Sequence, residues 1–188
     1  MNLVDRVKNI LVSPQSEWPK IAEEAATTQS IYIGYVMILA AVGPLAVAII
    51  TLGAGIGFAI VGYLIALAMA FVLALIVDAL APSFGGHKDF IGALKLVAYS
   101  CTALWIAGIF RLIPFVGGII GLIGLIYTFY LFYLGAPVLK TCASEKAVGF
   151  TAVVAICALV IGFVLISLLF SAMMGGGMAG MAGIGAIR

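Results

Sequence analysis

Charge is what this chain has least of. Nine basic and seven acidic residues are spread over 188 positions, so 9% of the sequence is charged against 65% hydrophobic. An ordinary soluble domain is about 25% charged. The net charge is only +2 and no basic stripe occurs, which excludes nucleic acid as a partner. Histidine appears once, at His87, and cysteine at Cys101, Cys142 and Cys157. That spacing fits no zinc pattern, and an odd count makes a poor disulfide framework. The three cysteines therefore read as small, reduced, structural residues. No Ser-His-Asp set, HExxH run or pair of catalytic carboxylates is present, so neither enzymatic machinery nor a cofactor is expected. Residues 1–30 hold no unbroken apolar h-region, so no cleavable signal peptide is expected and targeting falls to the first membrane span.

What replaces charge is length of apolar run. No charged side chain stands between Ala25 and Val77, or between Ala147 and Ile187. A membrane helix takes about 20 apolar residues, and a soluble core helix needs fewer. The chain therefore reads as an all-α integral membrane protein. The first run is too long for one helix, and Gly53-Ala54-Gly55-Ile56-Gly57 divides it. Further breaks fall at Ala81-Pro82-Ser83-Phe84-Gly85-Gly86, at Pro114 with Gly117-Gly118, and between Lys140 and Lys146. Five spans are predicted, at about 31–52, 57–80, 91–110, 115–138 and 147–172. Residues 1–30 form a cytoplasmic N-terminal segment, and 173–188 a Gly/Met-rich flexible tail.

Within that first segment, Leu3, Val4, Val7, Ile10 and Leu11 recur at helical spacing. Pro14 biases Ser13 away from helix, so the helix is expected to stop near Val12 and a second to begin at Pro14. An amphipathic helix beside a span is expected to lie along the membrane interface, with Trp18 as its anchor.

Five spans put the termini on opposite sides. Arg6, Lys8, Lys20, Lys88, Lys95, Lys140 and Lys146 fall with the N-terminus, and only Arg111 and Arg188 on the other side. Basic residues mark the inside, so the N-terminus is expected in the cytoplasm and the C-terminus outside. All the acidic residues also fall on the inner side, but orientation follows Lys and Arg rather than net charge.

Asp78 is the most costly side chain by position, about one turn before the end of the second span. Lys95 lies about one turn into the third, entering from the same face. An Asp78–Lys95 ion pair is expected to fix this hairpin, or both side chains snorkel to the interface. A proton or ion relay is the alternative. His87, beside Lys88 and Asp89, reads as an exposed loop residue, and no metal site is expected. The Gly53–Gly57 segment joins two apolar spans rather than a strand to a helix, so it is a turn and not a nucleotide loop. Gly117, Gly121 and Gly124 lie on nearly one helical face, a spacing that lets backbones approach in lipid. Tyr127, Tyr130 and Tyr133 recur at intervals of three on the same span, for packing or for hydrogen bonds across helices.

Several segments in fixed order carry a resemblance. They are Asn9-Ile10-Leu11-Val12-Ser13-Pro14 with Glu17-Trp18, Tyr32 to Tyr35, and Ala81-Pro82 with Phe84-Gly85-Gly86. Then come Ala93-Leu94-Lys95-Leu96-Val97-Ala98-Tyr99-Ser100, Leu112-Ile113-Pro114 and Tyr133-Leu134-Gly135. Over about residues 5–165 the chain resembles the Yip-one (Ypt-interacting protein) family in its compact bacterial-type form. One departure is Ala103, where relatives often carry proline. The resemblance implies five spans with a cytosolic N-terminus, here in a bacterial cytoplasmic (inner) membrane. Eukaryotic relatives bind Rab-type GTPases and one another, partly through a longer N-terminal region that this sequence does not have. No residue is therefore assigned to small-GTPase binding. The expected function is a non-enzymatic scaffold or adaptor in the lipid bilayer, acting as a homo-oligomer or with other membrane proteins. The alternative is a small transporter or channel component with a polar path near Asp78 and Lys95. A membrane enzyme comes third.

Overall fold

The computed structural model describes residues 2–113 and 115–185, and every regular element among them is helical. Met1, Pro114 and residues 186–188 lie outside the described residues, and with them the expected turn marker Pro114 and Arg188 of the charge map.

Two short helices open the chain. The first, α1, runs Leu3–Val12, with the Asn2 side chain accepting the Val4 N–H at its start. Ser13 leaves helical geometry, and α2 begins at Pro14 and runs to Glu23. The break falls where the Ser13–Pro14 pair requires it, since proline tolerates the first helical position and not the preceding turn.

Five helical segments long and apolar enough to cross a membrane follow: Thr28–Ile50, Ile56–Phe84, Phe90–Leu112, Val116–Lys140 and Ser144–Leu168. The expected count is met. Thr27 and Ser30 form a capping box that starts the first span. That span closes on Thr51, whose hydroxyl donates to the Val47 carbonyl at 2.8 Å and accepts the Gly55 N–H at 3.0 Å. Gly53, at φ +85°, supplies the left-handed turn there. The third span is interrupted at Cys101 although position 103 carries alanine and not proline. Its cause is local: Thr102 Oγ1 donates to the Tyr99 carbonyl at 2.7 Å, a back-bond of the kind that bends helices.

Residues Met1–Val154 and Ala155–Arg188 form separate contact units. In the first, the third span is the most buried. It meets the fourth where Gly124 faces Ala103 and Ala107. A Cβ on Gly124 would lie 2.7 Å from that of Ala107. Gly117 is equally close to Phe110 and Arg111, whereas Gly121 has nothing within 4 Å. So two of the three expected glycines are contact points and the middle one faces open space. A crossing not foreseen joins Gly43 of the first span to Gly108 of the third. The start of the fifth span packs by Phe150, whose ring lies 5.2 Å from Phe84 and 5.6 Å from Phe132. The helix containing that span continues to Gly185, past the expected end near 172. Ala and Met, both good helix formers, alternate with the glycines there.

The N-terminal pair corrects two expectations. Ile10, Trp18 and Ile21 are wholly buried, packed with residues of the third and fourth spans. Trp18 is therefore a core residue and not an interfacial anchor. Its ring occupies the hollow left by Gly135, where a Cβ would come within 2.7 Å of the indole. Full burial of a Trp removes about 150–250 Å² from water, worth about 4–6 kcal/mol gross, and an interface removes only part of that. The apolar stripe shifts accordingly. Val4, counted in the stripe, is 68% exposed, while the charged Arg6 is buried.

Candidate functional site

Buried charges in the described residues collect at the end of the bundle that carries the N-terminus. They form two knots. In the first, Arg6 donates from Nη1 to Glu17 Oε1 at 2.6 Å and from Nη2 to Glu24. Its guanidinium also lies over the Tyr99 ring, 5.7 Å from the centroid. Glu17 is wholly buried, and its second oxygen accepts from Lys20 Nζ at 3.2 Å. One cation on α1 thus gathers two carboxylates, Glu17 of α2, wholly buried, and Glu24 just past its end, about half exposed.

Lys95 completes this knot from the third span. Its ammonium donates to the Ile21 carbonyl at 2.7 Å and to the Glu24 carbonyl. These are last-turn carbonyls of α2, which have no partner within the helix and favour a cation. α1 is finished in the same manner by a bundle side chain, because Tyr127 donates its hydroxyl to the Leu11 carbonyl at 2.7 Å. Of the other tyrosines on that face, Tyr130 stacks beside Tyr127 at 5.5 Å and is 43% exposed.

The second knot centres on Lys140, at the end of the fourth span and wholly buried. Its Nζ donates to Asp78 Oδ1 at 2.8 Å and to the Asp89 carbonyl at 2.9 Å. Asp78 Oδ1 also accepts the Asp89 N–H at 2.7 Å. Asp89 in turn caps the third span by accepting the Ile91 N–H at 3.1 Å. Above this, the Lys140 carbonyl accepts from the His87 N–H at 3.3 Å and from Thr141 Oγ1 at 2.8 Å. His87 Nδ1 lies 2.8 Å from Thr141 Oγ1, so the exposed histidine is tied into the loop.

The expected Asp78–Lys95 ion pair is therefore not formed. Asp78 pairs with Lys140, and Lys95 serves carbonyls instead. The reason is reach. A last-turn carbonyl cluster stands over Lys95, and a fourth-span ammonium enters at the level of Asp78. Lys95 lies about one turn inside the third span and Lys140 is the last residue of the fourth, at the same end of the bundle, so the sequence offered two candidate partners. Arg6, Glu17 and Glu24 were missed because charges on an amphipathic helix read as solvated. The available signal was Arg6 at i−4 to Ile10, within the buried arc.

Chemically, both knots neutralise charge and satisfy carbonyls. Among the described residues no three His, Cys, Asp or Glu side chains converge as a metal site would require. Compared with known proteins, the chain matches the family model described as the Yip1 domain over residues 8–169. No curated protein and no solved structure matches it.

Proposed function

Since the chain belongs to the Yip1 domain family and is an integral membrane protein, we propose that it is a non-enzymatic membrane scaffold or adaptor. It acts through contacts with other copies or other membrane proteins. One observation carries this reading. Arg6, Glu17, Lys95 and Lys140, the buried charged residues of the described chain, are all consumed in internal bonds. The spans themselves present mainly apolar wall, as on the fourth, where Ile119, Leu122, Ile123 and Ile126 are each at least 59% exposed. In lipid such a wall is a surface for helix packing.

The test is association in a bilayer. The full chain carrying Ile119→Cys or Ile126→Cys, with its native cysteines replaced, is oxidised in reconstituted vesicles. Cross-linked oligomers, or a stoichiometric cross-linked membrane partner in native membranes, are expected. A chain that stays monomeric and partnerless in both settings overturns the scaffold. Solute flux in the same vesicles, abolished by Asp78→Ala, would favour the transporter instead. The membrane is taken to be a bacterial inner membrane with the N-terminus cytoplasmic, supported by Arg111 alone among described basic residues at the opposite end. A reporter fused after Arg188 that is active only in the cytoplasm would reverse that orientation.

A further inference from the structure

At the end of the bundle away from both knots, Arg111 terminates the third span. It is exposed, and among the described residues it has no ion-pair partner. Two cavities open on either side of it. One, of about 650 Å³, lies between the first three spans and is lined by Gly43, Gly62, Leu104 and Arg111 among others. The other, of about 520 Å³, lies between the third and fourth spans and is lined by Leu104, Arg111, Gly121 and Leu125. Leu104 and Arg111 belong to both, and Arg111 is the one charged residue in either lining.

Apart from the Trp105 indole N–H in the larger cavity, the side chains of the walls are otherwise apolar or already satisfied. Thr51 in the larger cavity spends its hydroxyl on Val47 and Gly55. Gly62 and Gly121 keep the space open, since a Cβ at either would meet nothing within 4 Å. The guanidinium lies in ordinary contact beside Gly43, with Nη1 3.5 Å from where a Cβ would be. Each volume is in the range of about 300–1,000 Å³ typical of small-molecule sites.

We propose that this is a binding site for one diacyl phospholipid of net negative charge, with its phosphate on Arg111 and one acyl chain in each cavity. The occupant follows from the shape and the charge together. Two separate apolar hollows sharing a single cation match a forked molecule whose branches meet at an anion. A guanidinium at the end of a span sits at headgroup level and takes phosphate through two parallel N–H donors. No acidic residue lies at this end of the described chain to repel an anionic headgroup. A free anion would leave both apolar hollows unfilled, and a flat helical wall from a second copy would fill neither.

The site is tested by native mass spectrometry of the full chain released from nanodiscs. The lipids supplied are diacyl phosphatidylglycerol, its single-chain lyso form or diacyl phosphatidylcholine, with inorganic phosphate as competitor. Wild type is expected to retain one diacyl phosphatidylglycerol, about tenfold more tightly than Arg111→Gln does, the loss of one charge-assisted contact. Gly121→Leu, which fills the smaller hollow, is expected to lose the diacyl preference and still hold the lyso form. Gly62→Leu does the same from the larger hollow. Because Arg111 is exposed and both glycines face open space, these variants fold, which unchanged thermal unfolding verifies. Equal retention by wild type and Arg111→Gln overturns the proposal. So does equal retention of lyso and diacyl forms, or of the two headgroups, by wild type. Displacement by millimolar phosphate alone would mark the site as one for a free anion. Loss of oligomers rather than of lipid in Arg111→Gln would mark it as a protein contact.

Discussion

Lys140 Nζ lies 2.8 Å from Asp78 Oδ1, joining the end of the fourth span to the end of the second across 62 positions of sequence. The lysine is wholly buried and the aspartate side chain 20% exposed. An ammonium so placed is tolerable only with its partner, and removing one member of a buried pair costs about 3–5 kcal/mol.

Asp78→Ala is therefore expected to destabilise the protein by about 3 kcal/mol, the low end because Lys140 keeps the Asp89 carbonyl. Asp78→Leu combined with Lys140→Met is expected to recover much of that loss. Thermal unfolding in one detergent, run as a double-mutant cycle, measures the coupling. Additive single effects would show that the contact contributes nothing.

Lys95→Met removes the cation from the last carbonyls of α2. Hydrogen bonds to a charged group contribute about 1.5–3 kcal/mol, and here the cost is confined to the docking of α1 and α2. Faster proteolytic cleavage between Glu23 and Thr27 is expected, with the spans intact. Unaltered cleavage would mean that the apolar packing of Trp18 and Ile21 holds the pair without Lys95.

Gly135→Val places atoms where the Trp18 indole and Leu96 already lie. Overpacking of this kind costs about 1–3 kcal/mol, and the mobile partner is Trp18. In a Trp105→Phe background, tryptophan emission is expected to shift to the red as Trp18 leaves the hollow. Emission at the wild-type wavelength would show that the fourth span moves instead.

Cys142, between the fourth and fifth spans, is buried, and desolvation pushes its thiol above the ordinary range. The folded state thus favours the neutral thiol. Its contribution to stability is fully present below about pH 8.5 and is lost as pH rises through the folded value. With Cys101 and Cys157 replaced by alanine, maleimide is expected to label the native protein at pH 9 about tenfold or more slower than the SDS-unfolded chain. Equal rates would place the thiol in solvent.

The uncharged runs made the spans legible, because lipid imposes one requirement on every residue of a helix: few polar atoms over about 20 positions. The glycine turn at Gly53 and the break at Ser13–Pro14 were equally plain, since each has a local steric cause. The knots were not. Trp18 and Arg6 obey a partner, the hollow at Gly135 and the ring of Tyr99, and neither partner lies near them in sequence. Lys95 and Lys140 both fall at the end of the bundle where Asp78 lies, so choosing between them for Asp78 required knowing where α2 ends in space. Gly121 shares its spacing with Gly117 and Gly124, yet it faces a cavity. Periodicity reports a face without saying what lies opposite.

The two carbonyl ends finished by Tyr127 and Lys95 carry a consequence for biogenesis. α1 and α2 leave the ribosome before the spans, but the hydroxyl that donates to the Leu11 carbonyl is made 116 residues later, and the hollow for Trp18 only at Gly135. Until the fourth span has been inserted, Trp18 and the Arg6–Glu17 pair have nowhere to dock. A segment made before the spans therefore settles only after four of them, and its docking reports that four spans have been placed.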